Sequence, residues 1–180
     1  MKWSFKPILA AATIILLFNS NIFAIGAGIQ AGAVPGMLIN ESNVKFENFT
    51  CNITGTVRLS RFPIVAGTGF EFGKFFSDFD FGFSAFADYW AIDCQLKNTW
   101  NLFSGFGLSC KFLTNDFRNW NLETGPRFFA GINRLFYDGY LEFYAQQNIV
   151  PTYIKNISNS ETKAAFMLYL PFETGLRMHF

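Results

Sequence analysis

The sequence predicts an all-β protein: eight antiparallel strands in up-and-down order, closed into a transmembrane barrel behind a cleaved signal peptide. Three observations point there. After Ala24, apolar and polar residues alternate with period two, the signature of strands with two unlike faces. Twelve of the fifteen glycines fall on the polar parity of that alternation. Aromatic residues of the apolar parity stand near both ends of the strands. A helical membrane protein is excluded, because no run of ~20 apolar residues occurs.

Residues 1–24 read as the signal, with Lys2 and Lys6 as the charged start and Ile8–Phe18 as the apolar stretch. Residues 25–180 are the barrel. Alternation predicts strands over Ile25–Val34, Asn52–Ser60, Ile64–Gly73, Phe79–Ile92, Thr99–Phe112, Leu122–Phe136, Tyr140–Val150 and Ala164–Phe180. In the last of these, Phe166, Leu168, Leu170, Phe172, Leu176, Met178 and Phe180 share one parity. Tight turns are expected at Arg61–Pro63, Asp93–Asn98 and Tyr137–Gly139. Longer polar loops are expected at Pro35–Cys51, Lys74–Asp78, Leu113–Asn121 and Pro151–Lys163. A proline followed by an alternating, Gly-containing stretch recurs at Pro63–Gly67, Pro126–Gly131 and Pro171–Gly175, with spacing too irregular for a repeat architecture.

The apolar parity could face a dry core, as in a soluble sandwich, or lipid. Glycine decides for lipid. On the solvent face of a soluble sheet, so many glycines would weaken the strands for no gain. Inside an eight-stranded barrel they fit, because the lumen is barely wide enough for side chains. Gly55 alone lies on the apolar parity, and Gly36 and Gly139 are placed in turns. On the outward parity, Tyr89, Trp100 and Phe180 lie near the tight-turn ends, and Phe72, Phe79, Phe112 and Phe166 near the loop ends. These seven form the expected membrane girdle. The twelve residue steps from Trp100 to Phe112 would span ~30 Å at a ~40° tilt, close to the ~25 Å apolar band of such barrels.

The alternating row ending Leu176, Met178, Phe180, with stretches such as Asn101–Leu108, resembles the small eight-stranded outer-membrane β-barrels of Gram-negative-type bacteria, the OmpA barrel and OmpW-like proteins among them. The resemblance implies an outer-membrane location with periplasmic termini. It implies outer-membrane lipids and the barrel-assembly machinery as partners, the latter reading Phe180. It also implies either a structural or surface barrel, a narrow porin-like channel for small solutes, or OmpW-like passage of small apolar molecules.

The inward parity carries the candidate site, a lumen charge network of Arg58, Glu71, Asp88, Lys111, Arg127, Glu142, Glu173 and Arg177, with Asp80 and Glu123 on the same face. Unpaired charge out of bulk water is expensive, so these groups should pair. Arg58, Asp88, Glu142, Glu173 and Arg177 are expected together in the lower half. The network is expected to plug the lumen rather than line an open path, because eight strands leave little room.

Other functions find no support. The net charge of +1 gives no footprint for nucleic acid. Disorder needs a composition opposite to 51% hydrophobic and 15% charged. Three cysteines without CxxC spacing and one histidine, His179, give no zinc site, and no cofactor is expected. A lipid-hydrolase barrel would need a Ser–His–carboxylate set. His179 has only Ser60 as a nearby nucleophile, across the closing barrel, so no enzyme is expected.

Overall fold

The computed structural model describes residues 25–40, 43–59, 62–75, 78–97, 99–157 and 165–180. The expected signal peptide and Ser60 lie outside them. The strands are β1 (Ile25–Asn40), β2 (Asn43–Leu59), β3 (Ile64–Phe75), β4 (Asp78–Lys97), β5 (Trp100–Thr114), β6 (Trp120–Phe136), β7 (Leu141–Asn156), β8 (Ala165–Tyr169) and β9 (Phe172–His179). From β1 to β8 each pairs antiparallel with the next in sequence, and β9 pairs with β7 and β1 rather than with β8. The ring closes because β8 and β9 lie end to end between β7 and β1. There are thus eight staves, the last built from two strands.

Ladder partners followed once round the ring give the stagger. Gly28 leads through Thr56, Gly67, Phe86, Ser109 and Gly125. The flanking β6–β7 pairs place Gly125 opposite Thr152, which leads to Met167 and Leu38. Leu38 is ten residues beyond Gly28 (38 − 28). Ten residues of rise over eight strand spacings tilt the strands by ~40°, the usual tilt of a closed barrel.

Three sequence expectations are corrected. The strand expected over Ala164–Phe180 breaks at Leu170–Pro171, because Pro171 has no N–H to give β7. The loop expected at Pro35–Cys51 is mostly hairpin: β1 runs to Asn40 and β2 starts at Asn43. Gly36 therefore lies in β1, not in a turn, against the Tyr169 ring. Tight-turn elements also run long: β4 continues from Tyr89 to Lys97 through register shifts at Trp90/Ile92 and Gln95/Lys97. Tilted strands end at staggered heights, so a strand can outrun its neighbour's turn. The expected turn at Tyr137–Gly139 is present. Tyr137 and Asp138 have φ of 51° and 56°, and the Gly139 N–H donates to the Phe136 carbonyl at 3.2 Å. The ladder closes at Phe136↔Leu141, so the loop is the four residues 137–140, which turn through three successive positive φ angles ending at Gly139 (φ 91°).

The two faces of the wall differ in chemistry. Ile29, Ile53, Phe70, Phe83, Phe106, Leu108, Phe128, Ile149 and Phe172 are exposed on the outside. Inward glycines let the backbones close up. A Cβ on Gly82 would strike the Phe112 carbonyl, and one on Gly105 the Tyr89 carbonyl. Gly55, facing outward, has open space beside it apart from the Thr68 carbonyl at 3.8 Å. The interior is not purely polar. Trp90, Phe103, Phe129 and Tyr144 form one buried cluster, with Trp90 and Phe103 stacked at 4.0 Å. Val34, Leu113, Val150, Ile154, Met167 and Tyr169 form another.

Candidate functional site

Alternation carries the polar parity of each strand inward, so ten charged side chains of the described residues meet in the lumen. They are Arg58, Lys111, Arg127 and Arg177 against Glu71, Asp80, Asp88, Glu123, Glu142 and Glu173. All except Arg58 are buried. They are arranged in three layers along the barrel axis.

At the tight-turn end, Glu142 of β7 is the hub. It accepts hydrogen bonds from Arg58 Nη1 at 3.2 Å, Arg177 Nη1 at 2.8 Å and Asn133 Nδ2 at 2.5 Å, and sits 2.9 Å from His179 Nε2. Arg58 also pairs with Asp93 at 2.8 Å and lies 4.0 Å from the Trp90 ring centre. Arg177 lies 4.6 Å from the Tyr144 ring centre. Above this layer the barrel opens as a polar depression of about 310 Å³, lined by Arg58, Asp93, Asn101, Asn133, Leu135, Gly139 and His179.

In the middle layer, Arg127 of β6 spans the lumen. Its Nε donates to Asp88 at 3.0 Å and its Nη2 to Glu173 at 2.5 Å, while its guanidinium lies over Phe86 at 4.4 Å. Glu173 also accepts from Asn52 (3.1 Å), Gln146 (2.9 Å) and Asn148 (2.9 Å). The expected grouping of Asp88 and Glu173 with Arg58, Glu142 and Arg177 is therefore corrected. The stagger of the tilted strands lifts Asp88 and Glu173 to the level of Arg127.

In the loop-side layer, Lys111 Nζ donates to Glu71 at 2.7 Å, and Thr50 Oγ1 to the same oxygen at 2.6 Å. Lys111 lies 4.2 Å from the Tyr169 ring centre, and the Tyr169 hydroxyl donates to Glu123 at 3.2 Å. Between this layer and the middle one is a cavity of about 20 Å³, bordered by Asn52, Glu71, Lys111, Arg127, Val150 and Pro171. That is space for roughly one water molecule.

The girdle residues Phe72, Phe79, Tyr89, Trp100, Phe112, Phe166 and Phe180 all project outward. Phe180 packs edge-on to Tyr140 at 6.0 Å, and its backbone exchanges hydrogen bonds with Ile25 where the barrel closes. Trp100 lies under the Arg134 guanidinium at 5.4 Å. Tyr89 lies at the level of Ile64, where the β2–β3 turn ends, but eight residues short of the end of its own strand (97 − 89).

Asn52, Asn133, Gln146, Asn148, Thr50 and Tyr169 complete the network and were not singled out in the sequence. Their parity was a usable signal: Asn52 shares that of Arg58, Asn133 that of Arg127, and Gln146 and Asn148 that of Glu142. For acyl transfer the site is poorly furnished. His179 faces a carboxylate, and among the described residues, which do not include Ser60, no Ser or Cys lines the depression beside it. Cys51, Cys94 and Cys110 are free thiols, and no group of metal-ligating side chains converges among the described residues.

An antiparallel up-and-down ring with an apolar outside and a charged inside defines a small membrane-type β-barrel. Comparison with solved structures bears on the fold through NspA. The crystal structure of Neisserial surface protein A (NspA) is similar with a TM-score of 0.56 at 14% identity, covering 86% of this chain and 97% of that one. Ail, the attachment invasion locus protein of Yersinia pestis, gives 0.44 at 10% identity, over 86% of this chain and 98% of Ail. The outer membrane protease OmpT of Escherichia coli gives 0.37 at 11% identity, over 88% of this chain and 98% of OmpT. No family model and no curated protein matches the sequence.

Proposed function

We propose that the protein is a non-enzymatic barrel of the bacterial outer membrane, whose lumen is sealed by its ion-pair layers and whose role is structural or at the cell surface. The observation that carries this reading is Arg127. It bridges Asp88 and Glu173 across the middle of the lumen and is only 4% exposed. A solute moving along the axis would have to break these pairs in a space with room for about one water. The apolar outside and the fold shared with NspA support the membrane location. On this reading the tight-turn end and both termini face the periplasm. The partners are outer-membrane lipids and the barrel-assembly machinery, the latter through Leu176, Met178 and Phe180. The narrow-channel and OmpW-like alternatives require an axial opening that the three layers occupy.

Reconstitution into planar bilayers tests the reading. The wild-type barrel should pass no ions in steps above background. Discrete, voltage-stable conductance from the folded protein would overturn the sealed-lumen proposal.

A further inference from the structure

In the middle and loop-side layers the ion pairs are shut away from water, whereas at the tight-turn end one of them is open. The side chains of Arg58 and Asp93 are 18% and 39% exposed. The reason is the stagger. β3 begins only at Ile64, opposite Tyr89, so Asp93 stands four residues past the last β4 residue that β3 pairs (93 − 89). The open pair borders the depression of about 310 Å³, a volume within the range of small-molecule sites. Leu135 is the one apolar side chain of its described lining.

Glu142 decides which polar atoms remain for a ligand. It holds the Asn133 amide by Nδ2, which leaves the Asn133 carbonyl as the other arm. Asn133 is 1% exposed, and its Oδ1 has no donor. A buried carbonyl without a donor is costly, and among the lining residues this occurs at Asn133. Asp93 Oδ2 accepts from Arg58 Nη2 at 2.8 Å, while Asp93 Oδ1 takes no hydrogen bond among the described residues. Arg58 gives one N–H to Glu142 and one to Asp93, out of the five that a guanidinium carries. Asn101, directly opposite Asn133 on β5, adds a second amide to the lining.

These leftovers define a ligand. The acceptors, Asn133 Oδ1 and Asp93 Oδ1, call for a group with several N–H donors, and an ammonium has three. The spare N–H groups of Arg58 call for a carboxylate. A bare cation would be repelled by Arg58 and a bare anion by Asp93, so one molecule must carry both signs. Arg58 and Asp93 touch at 2.8 Å. The two charges of the ligand must lie equally close together, which places them on one carbon. The two ends of a peptide stand too far apart.

We propose that the depression at the tight-turn end is a binding site for a free α-amino acid. The ammonium sits against the Asn133 carbonyl and Asp93 Oδ1, and the carboxylate against the spare N–H groups of Arg58. The ligand thus lies head to tail along the Arg58–Asp93 pair without breaking it. It also serves the carbonyl that the fold leaves without a donor. At the rim, nothing lies within 4 Å of where a Cβ on Gly139 would stand, so entry is unobstructed there. The site lies outside the charged layers, so binding requires no passage along the lumen.

Titration of the folded barrel in lipid nanodiscs with glycine tests this, read by NMR at the side-chain amides of Asn101 and Asn133. Both signals should shift and saturate, while the Asn148 amide in the middle layer stays in place. Methylammonium and acetate, each carrying half of the ligand, should bind at least tenfold more weakly than glycine. Glycylglycine, which holds the two charges apart, should do the same. Asp93→Asn keeps the shape of an exposed side chain and should weaken glycine binding at least tenfold. The four ligands compared on the wild type decide the matter alone if that variant does not fold. Shifts that are absent or never saturate would overturn the site. So would equal affinity for glycine and for either half, affinity for glycylglycine matching that for glycine, or full affinity in folded Asp93→Asn.

Discussion

Replacing Arg127 with Ala probes the sealed lumen most sharply. Arg127 is 4% exposed and pairs with Asp88 and Glu173, which are 3% and 1% exposed. The change strips Asp88 Oδ2 of its guanidinium donor, while Asp88 Oδ1 already has no protein partner. Glu173 keeps the amides of Asn52, Gln146 and Asn148. Removing one partner of a buried pair costs about 3–5 kcal/mol, because the remaining charge stays buried. The folded-to-unfolded ratio should therefore fall by roughly a thousandfold. Replacing the triad together, Arg127→Met with Asp88→Asn and Glu173→Gln, removes the charge along with its partner and should return to within about 1 kcal/mol of wild type. Urea unfolding in detergent micelles, read by tryptophan fluorescence and by heat-modifiable gel mobility, measures both. A loss below about 1 kcal/mol for Arg127→Ala would mean that water screens these charges, as at an exposed pair, and would refute the dry plug.

Three further outcomes follow from other parts of the barrel. Gly82→Val and Gly105→Val should abolish the heat-modifiable form, since each Cβ would meet a carbonyl of the next strand, while Gly55→Val should leave its yield unchanged. Phe103→Ala, which removes the ring stacked on Trp90, should cost about 3–5 kcal/mol in the same urea assay. An impermeant thiol reagent should miss exposed Cys94 in intact cells and label it once the outer membrane is permeabilised, whereas labelling in intact cells would invert the orientation.

The faces of the wall were legible in the sequence, and the levels along it were not. Period-two alternation fixes which side of the sheet a residue takes, so Asp88, Arg127 and Glu173 were recognisable as sharing one face. Which of them touch depends on the ten-residue stagger, and that is a property of ring closure rather than of any one strand. Hence Asp88 was expected with Arg58 and is found on Arg127. Strand ends were misjudged for a related reason. Residues such as Val44, Lys45 and Phe46 do not look like a loop or a membrane strand, yet they continue a ladder already running between β1 and β2. The inward aromatics Trp90, Phe103 and Phe129 were hidden because aromatics are abundant on both parities. The recurring prolines were visible, but only the register sets Pro126 against Pro151.

The central claim is that the wall has lipid outside and a dry, packed lumen inside, and two tryptophans report on its two faces. Trp100 projects outward and is 37% exposed, whereas Trp90 is 4% exposed, between Phe103 and Arg58. Variants keeping one or the other as the sole tryptophan can be reconstituted into vesicles of lipids brominated on the acyl chain. Strong quenching of Trp100 with little quenching of Trp90 is the predicted result. Equal quenching of the two, or none of either, would contradict the account.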